Sequence, residues 1–350
     1  MAKVSHNSSM KLIPVFLPEK SCPHRCAFCN VRIANGADAP VHSPAEIKGI
    51  IETALKTLSV HHQGEPVEIA FFGGTFTAGK PEVMGKYLNS CTPFLEKEAV
   101  SGIRISTRPD CVNNEVIKLL KQYGVTTVEI GVESFDNHVL RRLNRGHNAE
   151  TAITAIGQLK TAGFVTGIHL MTGCPGETVE SFNQTIIAML KSRPDTVRIH
   201  PLLVLAGTQL AKEGYQAPAC NKILDRLAMA VYFAEGAGIS VIRIGLQPTD
   251  SLNRPGQILS GCFHAALRHR VVSRIYRRFI EKYSIENATI SVSAKHLAYA
   301  VGFKRENANL FPLLRFQGEK SIKPWDARLN GTCYHMLTEG LYEIERLFER

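Results

Sequence analysis

Cys22-Pro-His-Arg-Cys-Ala-Phe-Cys-Asn30 gathers three of the chain's nine cysteines into one turn and supplies no fourth nearby. An apolar run, Leu12 to Leu17, comes just before it, so the thiols lie where a first strand ends. Cysteines spaced by three and then two residues can wrap a compact inorganic core, because thiolate is the soft ligand preferred by iron–sulfur clusters and by zinc. A cubane held by three thiolates leaves its fourth iron open to an outside ligand. Zinc held by the three thiolates and His24 is the alternative, although structural zinc sites usually join two separated ligand pairs rather than one turn. Three unconnected core thiols is the plainest reading.

Working outward, β-branched apolar runs recur at Val67 to Phe72, Ile103 to Thr107, Thr126 to Gly131, Phe164 to Met171 and Val197 to Val204. Helical patterns separate them. The first helix is signalled by Ser43 as cap, Pro44 in the first turn and Glu46 completing a capping box, and others begin near Pro81, Asn114, Asp136, Ala149 and Glu177. Alternation of strand and helix at roughly 30-residue intervals predicts parallel pairing through right-handed crossovers. The expected class is α/β, an incomplete (β/α)6 TIM-like barrel with a small C-terminal α-rich extension. A doubly wound open sheet is the competitor. Either architecture brings the thiol loop, Gly73-Gly74, Arg108, Glu133 and Gly173-Cys174-Pro175-Gly176 to one rim, at the carboxyl ends of the strands. A helix near Asn221 to Gly236 and a short apolar run, Ile239 to Ile244, complete this part. The expected division is 1–245 for the core and 246–350 for an extension available to bind substrate.

The 350 residues can bury a large core without disulfides. Nine cysteines, an odd count scattered apart from the first three, and the lack of an apolar leader before Lys11 point to a reducing, cytoplasmic setting. No run approaches the roughly 18 apolar residues of a spanning helix, so no membrane partner is expected. Forty-one Lys and Arg against 31 Asp and Glu give +10, which favours an anionic partner such as RNA. Part of the excess lies in a basic amphipathic helix from His264 to Lys282, suited either to tracking a phosphate backbone or to a solvated face.

CxxxCxxC with an aromatic residue, Phe28, before its last cysteine and a strand in front is identified as the pattern of the radical S-adenosylmethionine (radical SAM) superfamily. The resemblance implies a [4Fe–4S] cluster on Cys22, Cys26 and Cys29, whose open iron binds the amino and carboxylate groups of S-adenosyl-L-methionine (SAM). It implies reductive cleavage to a 5′-deoxyadenosyl radical, with flavodoxin or ferredoxin as electron donor. Gly73-Gly74-Thr75-Phe76 resembles the glycine-rich SAM motif, and glycine there permits close backbone approach. By the same resemblance Ser106 or Arg108 meets the ribose or methionine of SAM, though Pro109-Asp110 is also a helix-start turn. Glu133 and Arg145 match SAM-contacting positions and equally suit an ordinary ion pair. His169 matches the fifth-strand motif and equally suits a core histidine.

Ile-Ser-Thr-Arg-Pro-Asp, Val-Glu-Ile-Gly-Val-Glu-Ser, Asn-Arg-Gly-His and His-Leu-Met-Thr-Gly-Cys-Pro-Gly are similar to the radical SAM domain of the Elongator catalytic subunit, which modifies the wobble uridine of tRNA. The likeness runs from about Leu12 to Ile244. The hundred-odd residues beyond it lack an acetyl-CoA fingerprint, so the chain resembles the compact, stand-alone members of that group. A tRNA nucleoside is thus the first candidate substrate. A small metabolite or porphyrinogen-like compound is the second, and a zinc-bearing RNA-binding protein is the non-enzymatic alternative. Cys262 and His264 near Gly261 suit a radical relay or metal site, with Cys262 expected instead as a small core residue, and Trp325 as an anchor or a base-stacking platform.

Overall fold

The computed structural model describes residues 10–17, 22–23, 25–35, 41–61, 64–283 and 287–342. His24, the fourth ligand of the zinc alternative, lies outside them. The strands are β1 (Lys11–Phe16), β2 (Val67–Phe72), β3 (Gly102–Thr107), β4 (Val125–Glu133), β5 (Val165–Thr172), β6 (Thr196–Pro201), β7 (Leu203–Leu205), β8 (Ser240–Ile244), β9 (Ile258–Gly261), β10 (Thr289–Ser293), β11 (Arg315–Glu319), β12 (Asp326–Leu329) and β13 (Thr332–His335). Seven of them, β1-β2-β3-β4-β5-β6-β8, form one parallel sheet curled into a half-barrel.

The six apolar runs become strands and the run 239–244 adds the seventh. One boundary differs. The run Val197–Val204 splits at Leu202, and its second piece, β7, leaves the barrel to pair antiparallel with β9. Pro201 has no N–H for a further ladder bond, and the amide of Leu202 makes the last link, to Thr172 O at 2.8 Å.

Helices cover the outer face, where Ile13, Ile69, Ile105, Ile130, Ile168 and Ile199 are all but inaccessible, as expected of a parallel sheet. Ser43 and Glu46 form the capping box of Pro44–His61: Ser43 N donates to Glu46 Oε2 at 2.6 Å and Glu46 N to Ser43 Oγ at 3.3 Å. The helix expected from Glu177 starts later, at Val179, capped by Thr178. Glu177 instead stays in the loop and accepts from Gly173 N, Thr172 Oγ1 and Arg226 Nη1.

Beyond Gly245 the helix Leu267–Lys282 buries Val271, Val272, Ile275, Tyr276, Phe279 and Ile280. It packs against the helix Cys220–Gly236 and is accompanied by a four-stranded sheet, β11-β10-β12-β13, which the sequence pattern did not signal. Among the described residues, five of its six Lys and Arg are engaged within the chain, Arg270 being the exception. Arg274 and Arg278 pair with Asp225, Arg277 with Glu281, Lys282 bonds Glu339 O and Arg268 bonds Val241 O. The helix thus buries one face in the core while its other face carries the paired cations. Cys262 is joined to Cys220 in a disulfide and so has no free thiol for a relay or a metal, and His264 Nδ1 accepts from the Ala266 amide. Trp325 packs edge-on against His296 and bonds Glu235, which anchors the extension on the barrel helix. Among the described residues no helix is long and apolar enough to cross a membrane.

Candidate active site at the barrel mouth

The thiol loop is tied to the mouth by backbone bonds. Ala27 N donates to Leu143 O at 2.9 Å, Leu210 N donates to Ala27 O at 3.0 Å, and Cys29 N closes a tight turn on Cys26 O at 3.1 Å. Asn30 ends the turn twice over. Its Oδ1 accepts from Ile33 N, capping the short helix Val31–Asn35, while its Nδ2 donates to Ala206 O at 2.8 Å. Cys26 is buried, and Cys22 and Cys29 are half-buried.

Two sulfurs receive hydrogen bonds. Arg145 Nη1 donates to Cys26 Sγ at 3.0 Å and Thr75 Oγ1 to Cys22 Sγ at 3.3 Å. Such bonds stabilise charge on sulfur and raise the potential of an iron–sulfur centre. Arg145 is in turn held by the Gly131 carbonyl and stands 3.8 Å from Glu133 Oε1. Burial works against its charge, but Glu133 and the Cys26 sulfur raise its pKa above the ordinary arginine value. Glu133 adopts φ +66°, a left-handed conformation that is strained for a non-glycine residue. It turns at the strand end where β4 skips register against β5.

Gly73, at φ +107°, opens the turn after β2, and Gly74 is buried beside Thr75. Gly131 makes a second close approach: a Cβ there would stand 2.9 Å from Glu133 Oε1 and 3.0 Å from Arg145 Nη2. The 106–110 segment forms the expected turn. Pro109–Cys111 is a 3-10 turn, and Arg108 grips Asp110 with Nε at 3.0 Å and Nη2 at 2.8 Å. His147 bonds the Val132 carbonyl at 3.1 Å, and burial followed by the neighbouring Arg145 charge lowers its pKa to about 4, so its ring is neutral.

Four buried polar atoms at this mouth have no hydrogen-bond partner: Ser106 Oγ, Arg108 Nη1, Arg145 Nε and His147 Nδ1. Leaving a buried donor or acceptor unmade costs about 1–3 kcal/mol. Four of the ten such atoms among the described residues lie at this mouth, where a bound ligand would meet them. The donor set fits a [4Fe–4S] cluster with SAM: Cys22, Cys26 and Cys29 would hold the metal, and the orphaned atoms and close-packed glycines would meet the nucleotide. Among the described residues no three His, Cys, Asp or Glu side chains are drawn together around a single ion.

His169 is placed differently. It lies deeper, with Nε2 2.8 Å from Glu129 Oε2, inside a buried network that sequence reasoning missed. Arg104 bonds both Glu68 and Glu129, while Arg198 forks onto Glu129 with Nε at 2.7 Å and Nη2 at 2.9 Å. Burial tends to raise the Glu129 pKa, but the His169 bond and the Arg198 charge hold it well below the usual carboxylate range. The signal was available, since Glu68, Arg104, Glu129, His169 and Arg198 are charged or polar residues within apolar strands, each on the face opposite the buried isoleucines. Phe28 packs on the small apolar cluster under the loop, with Val139, Leu143 and Met171.

Residues 19–188 match the family model of the Radical SAM superfamily. The chain is 30% identical over 240 residues to a tRNA uridine(34) acetyltransferase of Methanocaldococcus infernus, covering 58% of this chain and 45% of that protein. It is 32% identical over 192 residues to mouse (Mus musculus) Elongator complex protein 3, covering 48% and 35%. It thus spans about half the length, or less, of these curated relatives. The archaeal Methanocaldococcus infernus Elp3, solved with an N-terminal deletion, superposes with a TM-score of 0.57 at 23% identity over 80% of this chain and 64% of that one, which shows a shared fold. The thiol loop and the strand-end atoms agree with this likeness: residues 19–188 match the Radical SAM superfamily, and the barrel is similar to that of the Elongator complex protein 3 group.

Proposed function

We propose that this chain removes a hydrogen atom from a nucleoside of tRNA, using a [4Fe–4S] cluster on Cys22, Cys26 and Cys29 and SAM bound at the barrel mouth. When bound, the cluster supplies one electron that splits SAM into methionine and a 5′-deoxyadenosyl radical, which takes the substrate hydrogen. The residues prepare this step. Arg145 and Thr75 steady two sulfurs by the bonds described above. Gly73 and Gly74 open backbone to the amino-acid part of SAM, and Ser106, Arg108 and Glu133 line its way along the strand ends. Arg145 serves both partners, with Nη1 on sulfur and Nε free for the nucleotide. Residues 1–245 form the reacting core and 246–350 the region that selects substrate. Flavodoxin or ferredoxin is the electron donor in this reading.

The observation that carries the proposal is the gathering of four unpartnered buried polar atoms beside three thiols on one loop. Support for tRNA comes from the relatives named as tRNA uridine(34) acetyltransferases and from the net charge of +10. Anaerobic reconstitution should give protein-bound iron and sulfide in equal amounts, and tRNA fractions should stimulate 5′-deoxyadenosine formation from SAM. Zinc in place of iron would end the radical reading; stimulation by small metabolites and by no tRNA would end the tRNA assignment.

A further inference from the structure

The barrel lumen holds more cations than its carboxylates neutralise. Glu68 is taken up by Arg104, Thr126 and Thr127, and Glu129 by Arg104, His169 and Arg198. Two carboxylates thus face Arg104, Arg198 and one guanidinium more. Strand pairing sets Arg243 of β8 directly beside Arg198 of β6. Arg243 is half-buried, and its Nη1 donates to the neutral amide oxygen of Gln247 at 3.0 Å. Burial first, and then the like charge of Arg198, pull its pKa below the ordinary arginine value, with only Glu129 opposing them. Next to it stands His200, whose Nδ1 is buried without a partner. Burial and the neighbouring His169 lower that ring to about 3, so it adds no charge of its own.

A half-buried cation beside a like charge is costly unless something anionic meets it. Guanidinium presents a planar fork that fits the paired oxygens of phosphate and carboxylate. We infer that Arg243, backed by Arg198 and His200, is a subsite for an oxyanion carried by the substrate, set in the lumen wall at the ends of β6 and β8. The inference rests on the reading that substrate enters this lumen. It specifies one functional group of that substrate, a phosphoryl or carboxyl group.

The test uses the full-length, anaerobically reconstituted protein with phenylglyoxal as an arginine reagent, mapping modified peptides in the presence of inorganic phosphate or of acetate. Arg243 should react ahead of the carboxylate-clamped Arg104 and Arg198, and one of the two anions should slow its modification by about tenfold, the value of one charge-assisted bond. Protection by phosphate alone assigns a phosphoryl group, and protection by acetate alone a carboxyl group. Arg243→Gln should lose the anion-induced rise in melting temperature, and Arg243→Lys should keep part of it, with circular dichroism showing both folded. Equal modification with and without anion, or an undiminished thermal shift in Arg243→Gln, overturns the subsite. Scoring SAM cleavage separately divides the outcomes: protection without cleavage supports the subsite and removes the radical reading, whereas cleavage without protection removes the subsite alone.

Discussion

Two polar regions share the same half-barrel and differ in how their hydrogen bonds are met. In the network of Glu68, Arg104, Glu129, His169 and Arg198, both carboxylates are fully engaged from within the chain. At the mouth Ser106, Arg108, Arg145 and His147 each leave a buried atom unmet. Satisfied buried charge fixes the register of strands, because a slip would strand a carboxylate in a dry interior. Unsatisfied buried polarity, concentrated at strand ends, is tolerated where a ligand completes it. The two regions touch the same strands, so burial alone does not separate them; the network's carboxylates are met from within the chain, whereas the four mouth atoms, like His200 Nδ1 in the lumen, are not.

The sharpest break between them comes from two substitutions with opposite readouts. Replacing Cys22, Cys26 or Cys29 with Ala should abolish bound iron and 5′-deoxyadenosine formation, while the urea midpoint of the metal-free protein stays close to that of the parent. Glu129→Ala should do the reverse at the level of the fold. It leaves Arg104 and Arg198 charged in a buried lumen, and breaking such a pair costs about 3–5 kcal/mol, read as a lower urea midpoint. A Glu129→Ala protein as stable as the parent would show that the network does not hold the barrel.

Acid should expose a smaller difference. His147 at the mouth and His200 in the lumen are held neutral in the fold, at about 4 and about 3, against about 6.5 for an unfolded histidine. Below that unfolded value the unfolded chain binds more protons than the folded one, so stability falls as pH drops from about 6.5 toward 4, by at most about 1.4 kcal/mol per pH unit for each ring. Glu129 works in the same direction at lower pH. Its depressed pKa contributes stability that is present above the usual carboxylate range and is lost only as pH falls well below it. His200→Gln should flatten the loss between pH 6.5 and 4 in thermal melts, and an unchanged slope would mean that this ring already titrates freely.

Much of the fold was legible because hydrophobic runs bounded by turn residues carry their own period. The strands, the capping box at Ser43 and the rim of loops follow from it. The thiol loop was legible for a different reason: few functions need three cysteines in so short a turn. His169 shows where this reading stops short. Motif position suits it to the cofactor and equally to the core; its Nε2 bonds Glu129, forty residues away in sequence, and such pairing depends on strand register that no local pattern encodes. The disulfide between Cys220 and Cys262 spans 42 residues and was hidden for the same reason. In the basic helix Leu267–Lys282 composition was read correctly, but Asp225 and Glu339, which bind several of its cations, come from distant segments that no local pattern marks.

Ser106 gives the finest test of the contrast, since its hydroxyl adds nothing to the fold that can be counted. Its side-chain oxygen is buried with no partner, so removing it relieves a desolvated group rather than breaking a bond. Ser106→Ala should therefore leave stability within about 0.5 kcal/mol of the parent, or raise it slightly. If the hydroxyl meets SAM, the same change should weaken SAM binding by about 0.5–1.5 kcal/mol, roughly two- to tenfold in dissociation constant. Equilibrium dialysis with the reconstituted protein reads the second quantity and urea denaturation the first. Thr127→Ala is the matched control from the lumen, because its hydroxyl donates to Glu68 at 2.8 Å; it should lower stability and leave SAM binding alone. If Ser106→Ala behaved like Thr127→Ala, losing stability with no change in SAM affinity, then unmet bonds would not mark the ligand site, and the division between mouth and lumen would have to be drawn on other grounds.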